Sequence, residues 1–202
     1  NDSPSGLPQI TGTFSQNEPL GVDLSGLSDA DGIDTDSFTY EWFAGTTLVS
    51  TSPTLTLSQD EVGKKITVKV SYTDDFGKDE SVTSAESAAV SNVNDAPVGT
   101  SIADDSIVQN NALTYDVSSS FSDIDGDSLS YTAELVSVDS VPAASSDLPS
   151  WLMFDTTTGQ FTGTPTNDDL GALEIKVTAS DGFLSDALTF TLVVDNKNDA
   201  PT

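Results

Sequence analysis

The stretch Ile66-Thr67-Val68-Lys69-Val70-Ser71-Tyr72-Thr73-Asp74 alternates apolar and polar residues and stops at an acid. Leu173-Glu174-Ile175-Lys176-Val177-Thr178-Ala179-Ser180-Asp181 does the same further along the chain. An apolar period of two places every second side chain on one face, which is the pattern of a half-buried strand. Leu188, Phe190, Leu192 and Val194 form a third such run, and no stretch of comparable length carries a helical period.

Working outward, each run sits in the same sequence of landmarks. Ser28-Asp29-Ala30-Asp31-Gly32 is answered by Ser122-Asp123-Ile124-Asp125-Gly126, and Ser37-Phe38-Thr39-Tyr40 by Ser128-Leu129-Ser130-Tyr131. Gly63 and Gly171 precede the alternating runs, and Asp74 and Asp181 follow them. Asn-Asp-x-Pro opens at Asn1, recurs at Asn94 and again at Asn198, as expected of a piece cut at repeat boundaries. The expected division is 1–97 and 98–202. Strands are predicted at 8–14, 20–26, 36–43, 46–49, 54–58, 64–73 and 81–91, then at 102–108, 112–118, 128–138, 151–154, 159–162, 172–180 and 186–195. The fold class that follows is all-β, as two tandem seven-stranded β-sandwiches of the immunoglobulin-like kind with antiparallel strands.

Composition excludes many functions. Without Cys or His there is no disulfide, thiolate nucleophile, imidazole base or zinc site of the Cys/His kind. The chain holds 33 acids against 6 bases, all Lys, for a formal net charge of −27. Nucleic acid and anionic membranes need clustered cations and are poor partners. No run approaches the ~18 apolar residues of a membrane span, and Asn1-Asp2-Ser3-Pro4 lacks the features of a signal peptide. The expectation is a monomer that neither inserts in a membrane nor binds nucleic acid.

Strand parity sorts the loops. Seven strands that alternate in direction bring the chain in at one end of a domain and out at the other, so copies string together. Asp29, Asp31 and Asp74 then share an end with the entering Asp2, and Asp123, Asp125 and Asp181 share one with the entering Asn94 and Asp95. Asp60, Glu61 and Asn92 belong to the opposite end of the first domain, beside the departing linker, as do Asp168 and Asp169 in the second. At the internal junction these oxygens should converge. Unneutralised, they would repel by several kcal/mol, roughly, at an effective dielectric of about 20. Calcium, which takes about 6–8 oxygen ligands, suits an Asp/Asn cluster better than magnesium does.

The second unit resembles a dystroglycan-type cadherin-like domain through Phe121-Ser122-Asp123-Ile124-Asp125-Gly126-Asp127, Leu148-Pro149-Ser150-Trp151-Leu152-Met153-Phe154-Asp155, Gly163-Thr164-Pro165 and Val177-Thr178-Ala179-Ser180-Asp181-Gly182. The first is similar to bacterial Ig-like repeats through Tyr40-Glu41-Trp42 and the Ser58-to-Gly63 loop. Together they resemble the extender region of calcium-dependent repeats-in-toxin adhesins. That resemblance implies calcium at Asp95, Asp123, Asp125 and Asp181, type I secretion, an extracellular place on a bacterial surface, and neighbouring repeat domains as partners. The chain departs from true cadherins in having no Arg.

Competing readings narrow the sites. Asp123-x-Asp125-x-Asp127 with Glu134 mimics an EF-hand, but Ser128 stands where Gly is required and a strand is predicted where a helix should follow. Trp42 is expected in a core, and Trp151 likewise. Lys69 and Lys176 are expected to face solvent. The expected function is a non-enzymatic, calcium-rigidified spacer. The alternatives are a module that binds a surface glycan or protein and, last, a glycoside hydrolase built on paired carboxylates.

Overall fold

A computed structural model describes residues 2–197; Asn1 and the third Asn-Asp-x-Pro phrase, 198–201, lie outside the described residues. The chain forms two compact all-β units that divide between Asn94 and Asp95. The division falls just before the expected Pro97, because Asp95 already donates its N–H to Asp125 Oδ2 within the second unit (2.7 Å).

The first unit contains β1 (Gln9–Gly12), β2 (Pro19–Asp23), β3 (Thr39–Ala44), β4 (Thr47–Ser50), β5 (Leu55–Thr56), β6 (Ile66–Thr73) and β7 (Asp79–Thr83). They form a three-stranded sheet, β1-β2-β5, and a four-stranded one, β4-β3-β6-β7. β6 buries Ile66, Val68, Val70 and Tyr72 and leaves the residues between them half-exposed, as its alternation requires. Trp42 from β3 is fully buried, and its indole N–H donates to the Ser52 carbonyl (2.9 Å), so the aromatic bulk enters the core without stranding a donor.

The last strand of this unit is shorter than the predicted 81–91. β7 ends at Thr83, because Ser84 and Ser87 then put hydroxyls where backbone carbonyls would stand. Val68 N–H donates to Ser84 Oγ (3.0 Å) and Ile66 N–H to Ser87 Oγ (2.8 Å). Three residues on the outgoing chain thus answer two on β6, which bulges the chain out of the ladder.

The second unit contains β8 (Val98–Gly99), β9 (Asp105–Val108), β10 (Leu113–Asp116), β11 (Phe121–Ser122), β12 (Ser130–Val138), β13 (Val141–Pro142), β14 (Leu152–Asp155), β15 (Gln160–Gly163), β16 (Gly171–Ser180) and β17 (Ser185–Asp195). Its sheets are β10-β15-β14, β11-β8 and β13-β12-β16-β17-β9. The three short strands β8, β11 and β13 add to the seven predicted. β13 follows from a two-residue turn in which Asp139 and Ser140 both have positive φ (47° and 65°), the twist a tight hairpin needs. Phe161, Ile175, Val177, Ala179 and Leu192 are fully buried at the centre, with Phe154 and Phe190 packed on Phe161 at ring separations of 4.4 and 5.6 Å. Trp151 is only partly buried and lies against the edge of this core.

One pairing departs from the antiparallel expectation. β9 pairs with β17 in parallel, Leu192 facing Asp105 through Asp195 facing Val108, and the first unit has parallel bridges at Ser15–Ser91 and Val62–Val90. Of the seven strands predicted for the second unit, β9 is the first and β17 the last, and the ends of an odd alternating set run the same way where they meet.

A further repeat landmark is seen only in three dimensions. Gln16 and Gln109 are buried, and each is followed by an Asn with positive φ. Their backbone N–H groups donate to the exit strands, Gln16 to Ser91 and Gln109 to Asp195. Their side chains hold the segment leaving the unit: Val93 N–H donates to Gln16 Oε1 (3.1 Å), and Gln109 Nε2 donates to Asn196 Oδ1 (3.3 Å).

Two outcomes follow from these cores. Phe161→Ala should destabilise the second unit by about 3–5 kcal/mol, read from urea unfolding through Trp151 emission. Burial raises the hydroxyl pKa of Tyr72, Tyr115 and Tyr131 above the ordinary value of 10.0. A folded pKa above the unfolded one means stability that is complete below pH 10 and lost as pH rises past it. The tyrosinate absorbance of these three should therefore appear late in an alkaline titration, together with unfolding.

Candidate metal centre

The acidic loop of the second unit runs from β11 to β12. Asp123 starts it with an Asx turn: Asp125 N–H donates to Asp123 Oδ1 (2.8 Å), and Gly126, at φ 78°, turns the chain back. Asp95 N–H donates to Asp125 Oδ2. The turn brings Asp123, Asp125 and Asp127 together, with one carboxylate oxygen of each within 4.8 Å of the others. Asp123 and Asp125 are half-buried and Asp127 is exposed. Asp123 Oδ2 and Asp125 Oδ1 are buried with no hydrogen-bond donor.

Asp181, at the end of β16, accepts from Phe183 N–H (2.6 Å) and Leu184 N–H (2.7 Å) through Oδ1, which closes the β16–β17 hairpin. β16 pairs with β12 through Ser180 and Ser130, so this hairpin shares an end of the unit with the acidic loop. Asp181 is not one of the 4.8 Å group.

The first unit repeats the plan with different particulars. Asp31 N–H donates to Asp29 Oδ1 (2.9 Å), and Asp2 N–H donates to Asp31 Oδ2. The Tyr72 hydroxyl donates to Asp29 Oδ2 (2.6 Å). That bond, ahead of the one from Asp31, holds the Asp29 carboxyl below its usual range. Asp74 is buried at 3% exposure; Oδ1 accepts from Phe76 and Lys78 N–H (2.9 and 2.8 Å), and Oδ2 has no donor. Asp75 completes the cluster, with its N–H on the Asp31 carbonyl and its carboxylate packed against Gly32.

Of the acids expected at the opposite ends, Glu61 and Asp169 are engaged locally. Glu61 is buried, and its Oε2 accepts from Ser58 N–H (2.8 Å) and Ser58 Oγ (2.7 Å), capping a single 3-10 turn in which Asp60 is exposed. Thr166 and Asp169 build the same cap in the second unit. Asn92 is exposed and Asn94 half-buried. Glu134, the twelfth position of the EF-hand mimic, accepts from Lys176 Nζ across β12 and β16 (3.2 Å), and the loop leads into a strand.

What these loops can do follows from their donors. All candidate ligand atoms are oxygens, which suits a hard cation. Buried carboxylate oxygens without donors are costly, and a bound cation offsets that cost. Asp127, Asp75 and Tyr72 were not among the residues predicted for the site. The Asp-x-Asp-x-Asp spacing did carry a signal for Asp127, but nothing local marked Tyr72, whose partner lies 43 positions away.

Residues 96–195 match the model of the He_PIG family, described as "Putative Ig domain". No curated protein sequence matches the chain. Among solved structures, it is similar to an N-cadherin EC1-3 fragment from Drosophila at 15% identity and TM-score 0.41, over 97% of this chain and 68% of that one. It is similar to the endo-fucoidan hydrolase MfFcnA4 of glycoside hydrolase family 107 at 19% identity and TM-score 0.40, over 98% of this chain but only 29% of the hydrolase. A three-Ig fragment of titin gives 10% identity and TM-score 0.40, over 95% and 65%. Likenesses this distant transfer no activity to this chain. The strand order of the second unit and the family match give one conclusion: residues 96–195 are an Ig-like domain.

Proposed function

We propose that this chain is a calcium-rigidified extender segment of a bacterial cell-surface adhesin, whose product is reach and stiffness. One observation carries the reading. In the second unit two buried carboxylate oxygens, on Asp123 and Asp125, have no donor, and the other oxygen of Asp125 holds the N–H of Asp95, in the linker. A cation on Asp123, Asp125 and Asp127 would draw that loop tight and with it the first linker residues. Asp181 and Asp95 would add oxygens at the rim.

The setting fits the charge. A chain with no Cys and a net charge of −27 resists collapse and disulfide trapping where calcium is scarce, and it gains counter-charge where calcium is abundant, as outside a cell. Neighbouring repeat domains of the same longer protein would be its partners. A second reading, that the units bind a glycan or protein, is favoured by Phe76 and Phe183, 80% and 87% exposed at the tips of the two hairpins that follow Asp74 and Asp181. Glycan-array screening separates the two readings.

Calcium at about a hundred times its Kd should stabilise the folded chain by about 2.7 kcal/mol. For a unit of this size that is a rise in Tm on the order of 10–20 °C. Scanning calorimetry with calcium and with chelator measures it. Asp123→Asn, which keeps the Oδ1 acceptor but removes the charge, should abolish most of the rise. Superimposed curves for the unmodified chain would end the metal reading.

Linker stiffening has its own measurement. The backbone order parameters of Asp95 and Ala96 from nitrogen-15 relaxation should rise on adding calcium, and Asp125→Asn should leave them unchanged by it. A rise of equal size in the variant would assign the stiffening to something other than this loop.

A further inference from the structure

The two acidic loops share their side-chain acceptor plan and differ at one oxygen. Asp29 and Asp123 each accept from the Asp two residues on, and Asp31 and Asp125 each accept an N–H from the segment entering the unit, Asp2 and Asp95. The difference is at the second oxygen of the first Asp. Asp29 Oδ2 receives the Tyr72 hydroxyl at 2.6 Å, whereas Asp123 Oδ2 is buried with no donor. The cause is one residue on the central strand. Two positions before Asp74 stands Tyr72; two positions before Asp181 stands Ala179, whose methyl carries no donor to offer. Tyr72 is 2% exposed and fixed by its edge contact with Phe38 at 5.9 Å, so its hydroxyl is held in place.

A second difference points the same way. The residue after the loop glycine is Asp127 in the second unit and Ile33 in the first. Among the described residues, only the second unit gathers three carboxylates within 4.8 Å. The first unit still keeps one carboxylate oxygen, Asp74 Oδ2, buried and without a donor, on a side chain near Tyr72.

We propose that Tyr72 sets the cation affinity of the first unit, its hydroxyl taking the carboxylate oxygen that the second unit leaves open for the metal. The inference rests on the calcium reading above and divides its two sites. The second unit binds tightly; the first is held by a phenol proton and takes a divalent cation only weakly, through Asp74 and what remains of Asp29. The recurring Asp-x-Asp-Gly gives both loops their first two acids, and Tyr72 and Asp127 make the loops unequal.

Calcium titration of the whole chain by calorimetry tests this. The unmodified chain should show a tight class that Asp123→Asn removes, leaving a weak one. Adding Tyr72→Phe to Asp123→Asn frees Asp29 Oδ2 and should tighten the remaining class about tenfold or more, the scale of a hydrogen bond to a charged group. An unchanged or weaker affinity in that double variant overturns the role given to Tyr72. Absence of any calcium binding by the unmodified chain instead overturns the calcium reading itself. If Tyr72→Phe fails to fold, carbon-13 carboxyl shifts of the unmodified chain decide: Asp123 should saturate at lower calcium than Asp29. Saturation together, or in the reverse order, overturns the proposal.

Discussion

The acidic ends of both units depend on where the central strands stop. β6 and β16 are the most regular elements of their sheets, each burying every second side chain, and each is hydrogen-bonded on both edges. A one-residue slip would turn Ile66, Val68 and Val70, or Ile175, Val177 and Ala179, out of the core, at about 1.5–3 kcal/mol for each large side chain. That penalty fixes the register, and the register fixes Asp74 and Asp181 at the first position beyond the ladder. It also decides whether the residue two places earlier points at the Asp loop, which is how a core position comes to shape a surface site.

The electrostatics of those ends follow from how few cations the chain has. Of its six Lys, four are engaged on sheet faces or edges: Lys65 with Glu86, Lys69 with Glu41, Lys78 with Glu80 and Lys176 with Glu134. Three of these pairs are solvent-exposed and each contributes roughly 0–1 kcal/mol; the fourth, at 3.7 Å, joins an exposed Lys78 to a half-buried Glu80. The Glu partner of each lies outside the Asp29–Asp31 and Asp123–Asp125 loops. There the carboxylates are satisfied by backbone N–H groups, which the turns point inward: Asp31 and Asp125 at the Asx turns, Phe76 with Lys78, and Phe183 with Leu184 at the hairpins. Backbone donors are limited by geometry, and the oxygens they leave over are Asp74 Oδ2, Asp123 Oδ2 and Asp125 Oδ1.

Much of this was legible in the sequence, and the reason is periodicity. Strict alternation from Ile66 to Tyr72 and from Leu173 to Ala179 is a local signal, and the observed β6 and β16 lie within about two residues of the predicted bounds. The recurring Asp-x-Asp-Gly likewise marked the loops. What escaped depends on pairs distant in sequence. Ser84 and Ser87 end β7 early because their hydroxyls meet Val68 and Ile66, and nothing in Ser84-Ala85-Glu86-Ser87 announces that. Gln16 and Gln109 read as ordinary polar residues until their exit strands are placed beside them. Glu61 read as a possible ligand at a chain end, yet its position three residues after Ser58 is also the spacing of a cap, and the cap is what forms.

The comparison of the two units bears on how such a repeat can diverge without losing its fold. A buried carboxylate oxygen can be compensated by a fixed proton donor, which acts at any calcium concentration, or by a cation, which acts only where the ion is present. Tyr at the end of the central strand, where the second unit has Ala, is a difference of core packing in contact with Phe38, and it supplies the fixed donor to the first Asp of the loop. On the calcium reading proposed above, repeats that share the first two acids of the loop would therefore differ in their demand for metal through a core residue as well as through Asp127, and the core is where a search for ligands does not look.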